Sequence, residues 1–138
     1  MNVFLDANVP VSVLNKEYPV YPYASRVLSL ADTRKYKLVT SATCLAIAFY
    51  FTSKKYGDMI AKQKISILIE HIEVADCGKK EAVQAAGNKK IHDFEDGLQY
   101  YAALNGKCTS IVTSDVSDFY FSDIEVLEPE LFLRKYFK

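Results

Sequence analysis

Short apolar runs alternate along this chain with longer segments in which apolar residues recur every three or four positions. Residues 2–5 form a short apolar strand that runs directly into Asp6, Ala7 and Asn8. Pro10 suits the first turn of a short helix, where its missing N–H has no partner to lose. Pro19 and Pro22 are expected to break the chain. A helix over 24–34 follows, with Val27, Leu28, Leu30 and Ala31 as its stripe. Residues 37–40 read as a second strand. Ser41 is a suitable N-cap for a helix over 42–55. That helix is apolar nearly all round, with Leu45, Ile47, Ala48, Phe49 and Phe51, so burial is expected. Gly57 ends it.

A helix over 58–69 carries Met59, Ile60, Ile65, Leu68 and Ile69. Residues 72–75 form a third strand, and 78–86 a short helix ended by Gly87. Residues 93–104 are helical, with Leu98, Tyr101, Ala102 and Leu104 expected inward and Asn105-Gly106 closing the helix. Residues 110–113 and 124–126 are strands four and five, and a last helix spans 130–136 behind Pro129. Short apolar strands alternating with helices predict a three-layer α/β/α sandwich on a central parallel sheet of four to five short strands. No repeat or linker interrupts residues 1–138, which read as one domain.

Composition agrees with this picture. Half of the 138 residues are hydrophobic, with only 5 Gly and 4 Pro, which excludes disordered and low-complexity classes. The longest apolar run, 44–51, is far short of the ~20 residues that span a bilayer. Asp6 interrupts the N-terminal apolar run, which therefore does not read as a signal peptide. Cys44, Cys77 and Cys108 are odd in number and lack a CxxC spacing, which argues against a disulfide framework and a zinc site. The expectation is a cytoplasmic protein with no membrane contact.

Charge adds a segregation. Lys+Arg and Asp+Glu both number 17, so a bulk basic surface for nucleic acid is absent. Yet residues 51–90 hold eight Lys and five acids, whereas 93–130 hold nine acids and one Lys. Asp6 follows the first strand, and Asp115 and Asp118 follow the fourth. Parallel strands present their C-terminal ends at one edge, where these acids can meet. Asp96, at a helix start, can join them. Such a cluster repels itself unless protons or cations intervene, and hard oxygen donors suit Mg²⁺ or Mn²⁺. Ions so held favour phosphodiester cleavage. Each acid also has a plainer use: Asp6 and Asn8 as turn residues, Asp93 and Asp96 at a helix N-terminus, Asp115 and Asp118 as loop caps. Helical spacing places Asp93 and Asp96 on neighbouring faces and turns Glu95 elsewhere.

Five blocks, in order, are VFLDANV at 3–9, SATCLAIAFY at 41–50, HDFEDGLQYYAAL at 92–104, IVTSDVSDF at 111–119 and VLEPELFL at 126–133. Together they resemble the PIN-domain family over nearly the whole chain, and within it small bacterial VapC-like toxin ribonucleases. The resemblance implies that Asp6, Asp96 and Asp118 bind metal, that Asp115 assists, and that Asn8 and Thr113 orient the acids. It further implies single-stranded RNA as substrate, Mg²⁺ or Mn²⁺ as cofactor, an antitoxin protein as partner, and a homodimer. Family members with a further helix-borne acid carry Glu at the position matching Ile47, and Ala is expected where Gly97 stands. Beside a metal-dependent endoribonuclease, the loss of that acid leaves open a catalytically weakened or inactive RNA-binding module. A phospho-accepting receiver-like domain is disfavoured: Ala7-Asn8 follows Asp6 where a second acid is needed, and no Lys follows Thr113 in its loop. His92 adjoins the acidic helix, and Lys54, Lys55, Lys62 and Lys64 offer a phosphate rail or a solvated face.

Overall fold

The computed structural model describes residues 1–137. Five strands, β1 (Asn2–Leu5), β2 (Lys37–Ser41), β3 (Glu73–Ala75), β4 (Ser110–Val112) and β5 (Glu125–Leu127), pair in the order β3-β2-β1-β4-β5, all parallel. Phe4 sits opposite Val39 on one side and Ile111 on the other. Successive side chains of a strand leave opposite faces. Val3 and Leu5 accordingly enter one apolar cluster and Phe4 the other, all fully buried. This explains why the strand reads as a continuous apolar run rather than an alternating one.

The first cluster is closed by α1 (Asn8–Leu14), α2 (Tyr21–Ser29) and α7 (Pro129–Tyr136), through Val9, Val27 and Phe132 among others. The second is closed by α6 (Phe94–Asn105), through Tyr100, Ala102 and Ala103. Helix α5 (Lys79–Gly87) packs on α6. The result is the three-layer α/β/α sandwich expected. The chain lays down β1, β2 and β3 outward in one direction, then returns to place β4 and β5 beyond β1. That reversal opens a crevice at the C-terminal edge between β1 and β4, the usual ligand position in such sheets.

Three expectations are corrected. Helix α2 begins at Tyr21, not 24, because Pro22 occupies its first turn, where proline is tolerated, instead of breaking the chain. A 3-10 turn at Leu30–Asp32 ends that segment. Helix α3 (Ala42–Tyr56), capped by Ser41 Oγ accepting from Cys44 N–H at 3.1 Å, is not buried all round. Only Cys44, Ala48 and Thr52 are buried, and Tyr50 and Phe51 are 53 % and 46 % exposed. Helix α4 (Asp58–His71) follows across Gly57, whose φ of 85° is the left-handed conformation glycine accepts, and it buries only Ala61 and Leu68. Met59, Ile60, Ile67 and Ile69 face outward. On α6, Leu104 is exposed and Gln99 and Tyr100 are buried in its place.

Gly97 is fixed by packing. A Cβ there would lie 3.0 Å from Ala85 Cβ and 3.1 Å from Ile91 Cγ2. Ala85 Cβ is rigidly attached to α5 and cannot rotate away. Gly97→Ala should gain up to ~1 kcal/mol of helix propensity and lose ~1–3 kcal/mol to overpacking. The expected net result is destabilisation by about 1 kcal/mol, a fall in Tm of roughly 2–4 °C. A scanning-calorimetry midpoint at or above that of the wild type would show that α5 yields without cost.

Candidate active site

The acids converge because two adjacent strands end together. Asp6 N–H still bonds Val112 C=O at 3.1 Å, so Asp6 completes the β1–β4 ladder while its side chain leaves the sheet edge. Thr113 N–H bonds Leu127 C=O at 3.0 Å, tying the end of β4 to β5. The chain then turns through Ser114 and Asp115 into a 3-10 turn at Val116–Phe119 that carries Asp118. Helix α6 opens beside them, its N-cap Asp93 accepting from the backbone N–H groups of Glu95 at 2.8 Å and Asp96 at 3.3 Å.

A polar junction holds the two strand ends in register. The Thr113 hydroxyl meets three groups: Asp6 Oδ2 at 2.8 Å, Asn8 Nδ2 at 3.0 Å and Asp115 N at 3.0 Å. The last two are donors, so the hydroxyl proton must go to Asp6. Asn8 Oδ1 accepts from Ser114 N–H at 3.1 Å, which fixes the amide's orientation. Its Nδ2 then faces Asp6 Oδ2 at 3.3 Å and Asp115 Oδ2 at 3.2 Å. Asp6 Oδ1 takes Ala7 N–H at 2.9 Å. Both carboxylate oxygens of Asp6 are thus fixed.

Beyond this junction lies a cleft of ≈ 440 Å³, large enough for a nucleotide. It is lined by Asp6, Ala7, Asn8, Val11, Glu17, Phe51, Asp93, Glu95, Asp96, Asp115 and Asp118, with no Lys, Arg or His among them. Burial raises the Asp6 carboxyl above its usual range and outweighs the bonds from Thr113 and Ala7, and the charges of Asp115 and Glu95 add to the rise. Asp96 is pushed up to about 7, first by burial and then by Asp93, Asp118, Asp6 and Glu95. The donor set is therefore hard, oxygen-only and self-repelling, which is the chemistry a divalent cation relieves. Among the described residues, no three of these side chains already converge as a closed metal cage.

All six residues singled out in the sequence, Asp6, Asn8, Asp96, Thr113, Asp115 and Asp118, lie at this junction or line this cleft. Glu95, expected to turn away, lines it too, since the long side chain of a first-turn residue reaches the open helix end. Glu17 and Phe51 were not expected. Glu17 follows Lys16, whose φ of 53° turns the chain after α1, and no motif marks it. Phe51 stands one helical turn after Ile47, and these two positions share a face of α3. Ile47 itself is half-buried against the second apolar cluster. The lysines considered as a phosphate rail are partly engaged: Lys54 lies 4.1 Å from the Tyr50 ring centre, Lys64 4.7 Å from that of Tyr56, and Lys55 donates to Asn15 C=O at 2.5 Å.

The five-stranded parallel α/β/α fold with an acid-lined crevice at its switch point has counterparts among known proteins. Residues 2–117 match the PIN domain. The chain is 32 % identical over 138 residues to Ribonuclease VapC1 of Aquifex aeolicus (strain VF5), covering 97 % of this chain and 94 % of that protein. The fold is shared with VapBC2 from Rickettsia felis bound to a DNA fragment from its promoter, with TM-score 0.69, 21 % identity, and 93 % of this chain and 98 % of that one covered. It is also shared with Mycobacterium tuberculosis VapC20, a sarcin-ricin loop cleaving toxin, with TM-score 0.66, 16 % identity, and 89 % and 98 % covered. The chain belongs to the PIN-domain family.

The raised carboxyls carry a pH signature. A carboxyl whose folded pKa exceeds its ordinary 3.8 binds more protons folded than unfolded across the interval between the two values. Its charge therefore costs stability as pH rises from about 4 to about 7. Without metal, the wild type is expected to melt at a higher temperature at about pH 5.5 than at about pH 7.5. Asp96→Asn should raise the midpoint at the higher pH and flatten the difference. An Asp96→Asn variant that melts lower than wild type at both pH values would mark Asp96 as a structural acid.

Proposed function

We propose that this chain is a divalent-metal-dependent endoribonuclease that hydrolyses phosphodiester bonds of single-stranded RNA, as the toxin of a toxin–antitoxin pair. The observation that carries this reading is the cleft itself: seven acids and no cationic side chain at the switch point of a PIN-domain fold. The kinship with a ribonuclease supports the choice of substrate. In this reading Asp6, Asp96 and Asp118 hold Mg²⁺ or Mn²⁺. Such a cation, when bound, acidifies the attacking water and offsets charge on the phosphoryl oxygens. Thr113 and Asn8 aim the Asp6 carboxylate by donating to it, and Asp115, held by Asn8, stands beside it to accept a proton. Exposed apolar side chains along α3 and α4, including Met59 at 75 % and Ile67 at 59 %, offer a surface for the antitoxin or a second copy. Among the described residues no helix is long and apolar enough to cross a membrane.

Purified protein is expected to cleave a single-stranded, mixed-sequence RNA in Mg²⁺ or Mn²⁺ and to stop in EDTA. Asp96→Asn and Asp118→Asn should abolish cleavage with unchanged circular dichroism. Asp6→Asn should abolish it too but also cost stability, because its carboxylate takes donors on both oxygens. Cleavage that continues in EDTA, or that survives these substitutions, rules out the metal-site assignment.

A second reading, a weakened or inactive RNA-binding module, is favoured by one observation: the residue at the position where relatives are expected to carry Glu is apolar Ile47. Ile47 shares its helix face with the cleft residue Phe51. Ile47→Glu is therefore expected to add a ligand, tighten Mn²⁺ binding in calorimetry and raise turnover, while lowering the metal-free Tm through added repulsion. A lower Tm with unchanged Mn²⁺ affinity would place the residue in the core and remove the missing acid from consideration.

A further inference from the structure

Tyr120 keeps its ring in solvent, 57 % exposed, while its hydroxyl is fully engaged. The hydroxyl donates to Lys90 C=O at 2.5 Å and accepts His92 N–H at 3.2 Å. The His92 imidazole lies against the ring, with centroids 5.6 Å and planes 34° apart. Phe121 buttresses it edge-on at 5.3 Å and 86°. An exposed ring gains little from burial, so fixing it in this way makes a preorganised contact surface. Its position is informative: Asp118, which lines the cleft, precedes Tyr120 by two residues, and Asp93, which also lines it, follows His92 directly. Lys89 and Lys90 are exposed on the same segment, and among the described residues neither joins an ion pair.

We propose that Tyr120 and His92 form a stacking platform on the cleft rim for an unpaired base of the RNA, with Lys89 and Lys90 meeting its phosphates. This rests on the ribonuclease reading for the class of ligand. An acid-lined cleft repels phosphate, so affinity has to come from its rim. Lysines supply the backbone attraction and ring faces supply stacking that any base can use. A base inside a duplex hides its faces against its neighbours, so the platform selects unpaired segments, purines above pyrimidines because their faces are larger.

The hydroxyl bonds allow a different role, a strut between the segments carrying Asp118 and Asp93, and substitution separates the two. Tyr120→Phe keeps the ring and loses the hydroxyl; Tyr120→Leu loses both. Binding of a fluorescein-labelled deca-adenylate is measured by anisotropy in EDTA, so that cleavage is not required, with thermal midpoints recorded as a fold control. Tyr120→Phe is expected to stay within about twofold of wild type. Tyr120→Leu and His92→Ala should weaken binding by about tenfold, equivalent to ~1.4 kcal/mol. An abasic decamer of equal charge should bind all four proteins alike. Equal losses in the Phe and Leu variants, an unaltered Leu variant, or a wild type that does not bind the oligonucleotide would each overturn the platform. Cleavage in Mg²⁺ is scored separately: the expected affinity pattern without cleavage supports the platform and sinks the ribonuclease reading, and cleavage with affinities unchanged across the variants does the reverse.

Discussion

The cleft depends on β1 being hydrogen-bonded along both edges. A buried strand must have every backbone polar group paired, and β1 achieves this with β2 on one side and β4 on the other. Because Asp6 N–H still reaches Val112 C=O, the ladder ends at a defined residue on both strands. Thr40 Oγ1 donates to Leu5 C=O at 2.9 Å and closes the β2 side in the same way. The sheet thus delivers a carboxylate to a fixed point without spending a loop on it. Loops contribute the rest, Asp115 and Asp118 from one and Asp93 at the head of α6, and Asn8 and Thr113 lock one loop onto the strand.

Holding like charges together has a cost that the packing distributes. Neutral donors, not cations, surround Asp6, and burial still outweighs them. A lysine in their place would neutralise the cluster and occupy the site. The cleft keeps its repulsion, which is the kind of field a doubly charged cation would relieve. Gly97 contributes from the far side: with no Cβ at that position, α6 settles against Ala85, next to Asp96.

Most of the architecture is legible in the sequence because a parallel sheet leaves a direct trace. Strands buried on both faces must be apolar throughout, and the residue after each one falls at the same edge. Asp6 and the acids after β4 are readable for that reason. What is not readable depends on neighbours distant in sequence. The apolar circumference of α3 suggests burial, yet α3 meets α4, which is itself half outside, so Tyr50 and Phe51 stay in water. Pro22 reads as a breaker and serves as a helix start. Glu17 enters the cleft because of a left-handed turn at Lys16 that no glycine announces. Gly97 reads as a weak point in a helix, and its cause, Ala85, is twelve residues away.

Two of the three thiols turn the fold into its own reporter. Cys44 and Cys108 are buried and pushed up to about 12, Cys44 chiefly by burial and further by the nearby Asp6 charge. The thiolate is the reactive species, so neither sulfur is modified while its surroundings stay closed. Cys44 lies in the first turn of α3, behind the Ser41 cap, and Cys108 precedes β4. Their rates of alkylation therefore clock two separate openings, one under α3 beside the acids and one at the entry to the sheet's fourth strand. Anything that binds the cleft only while α3 is closed would slow the first clock and leave the second running.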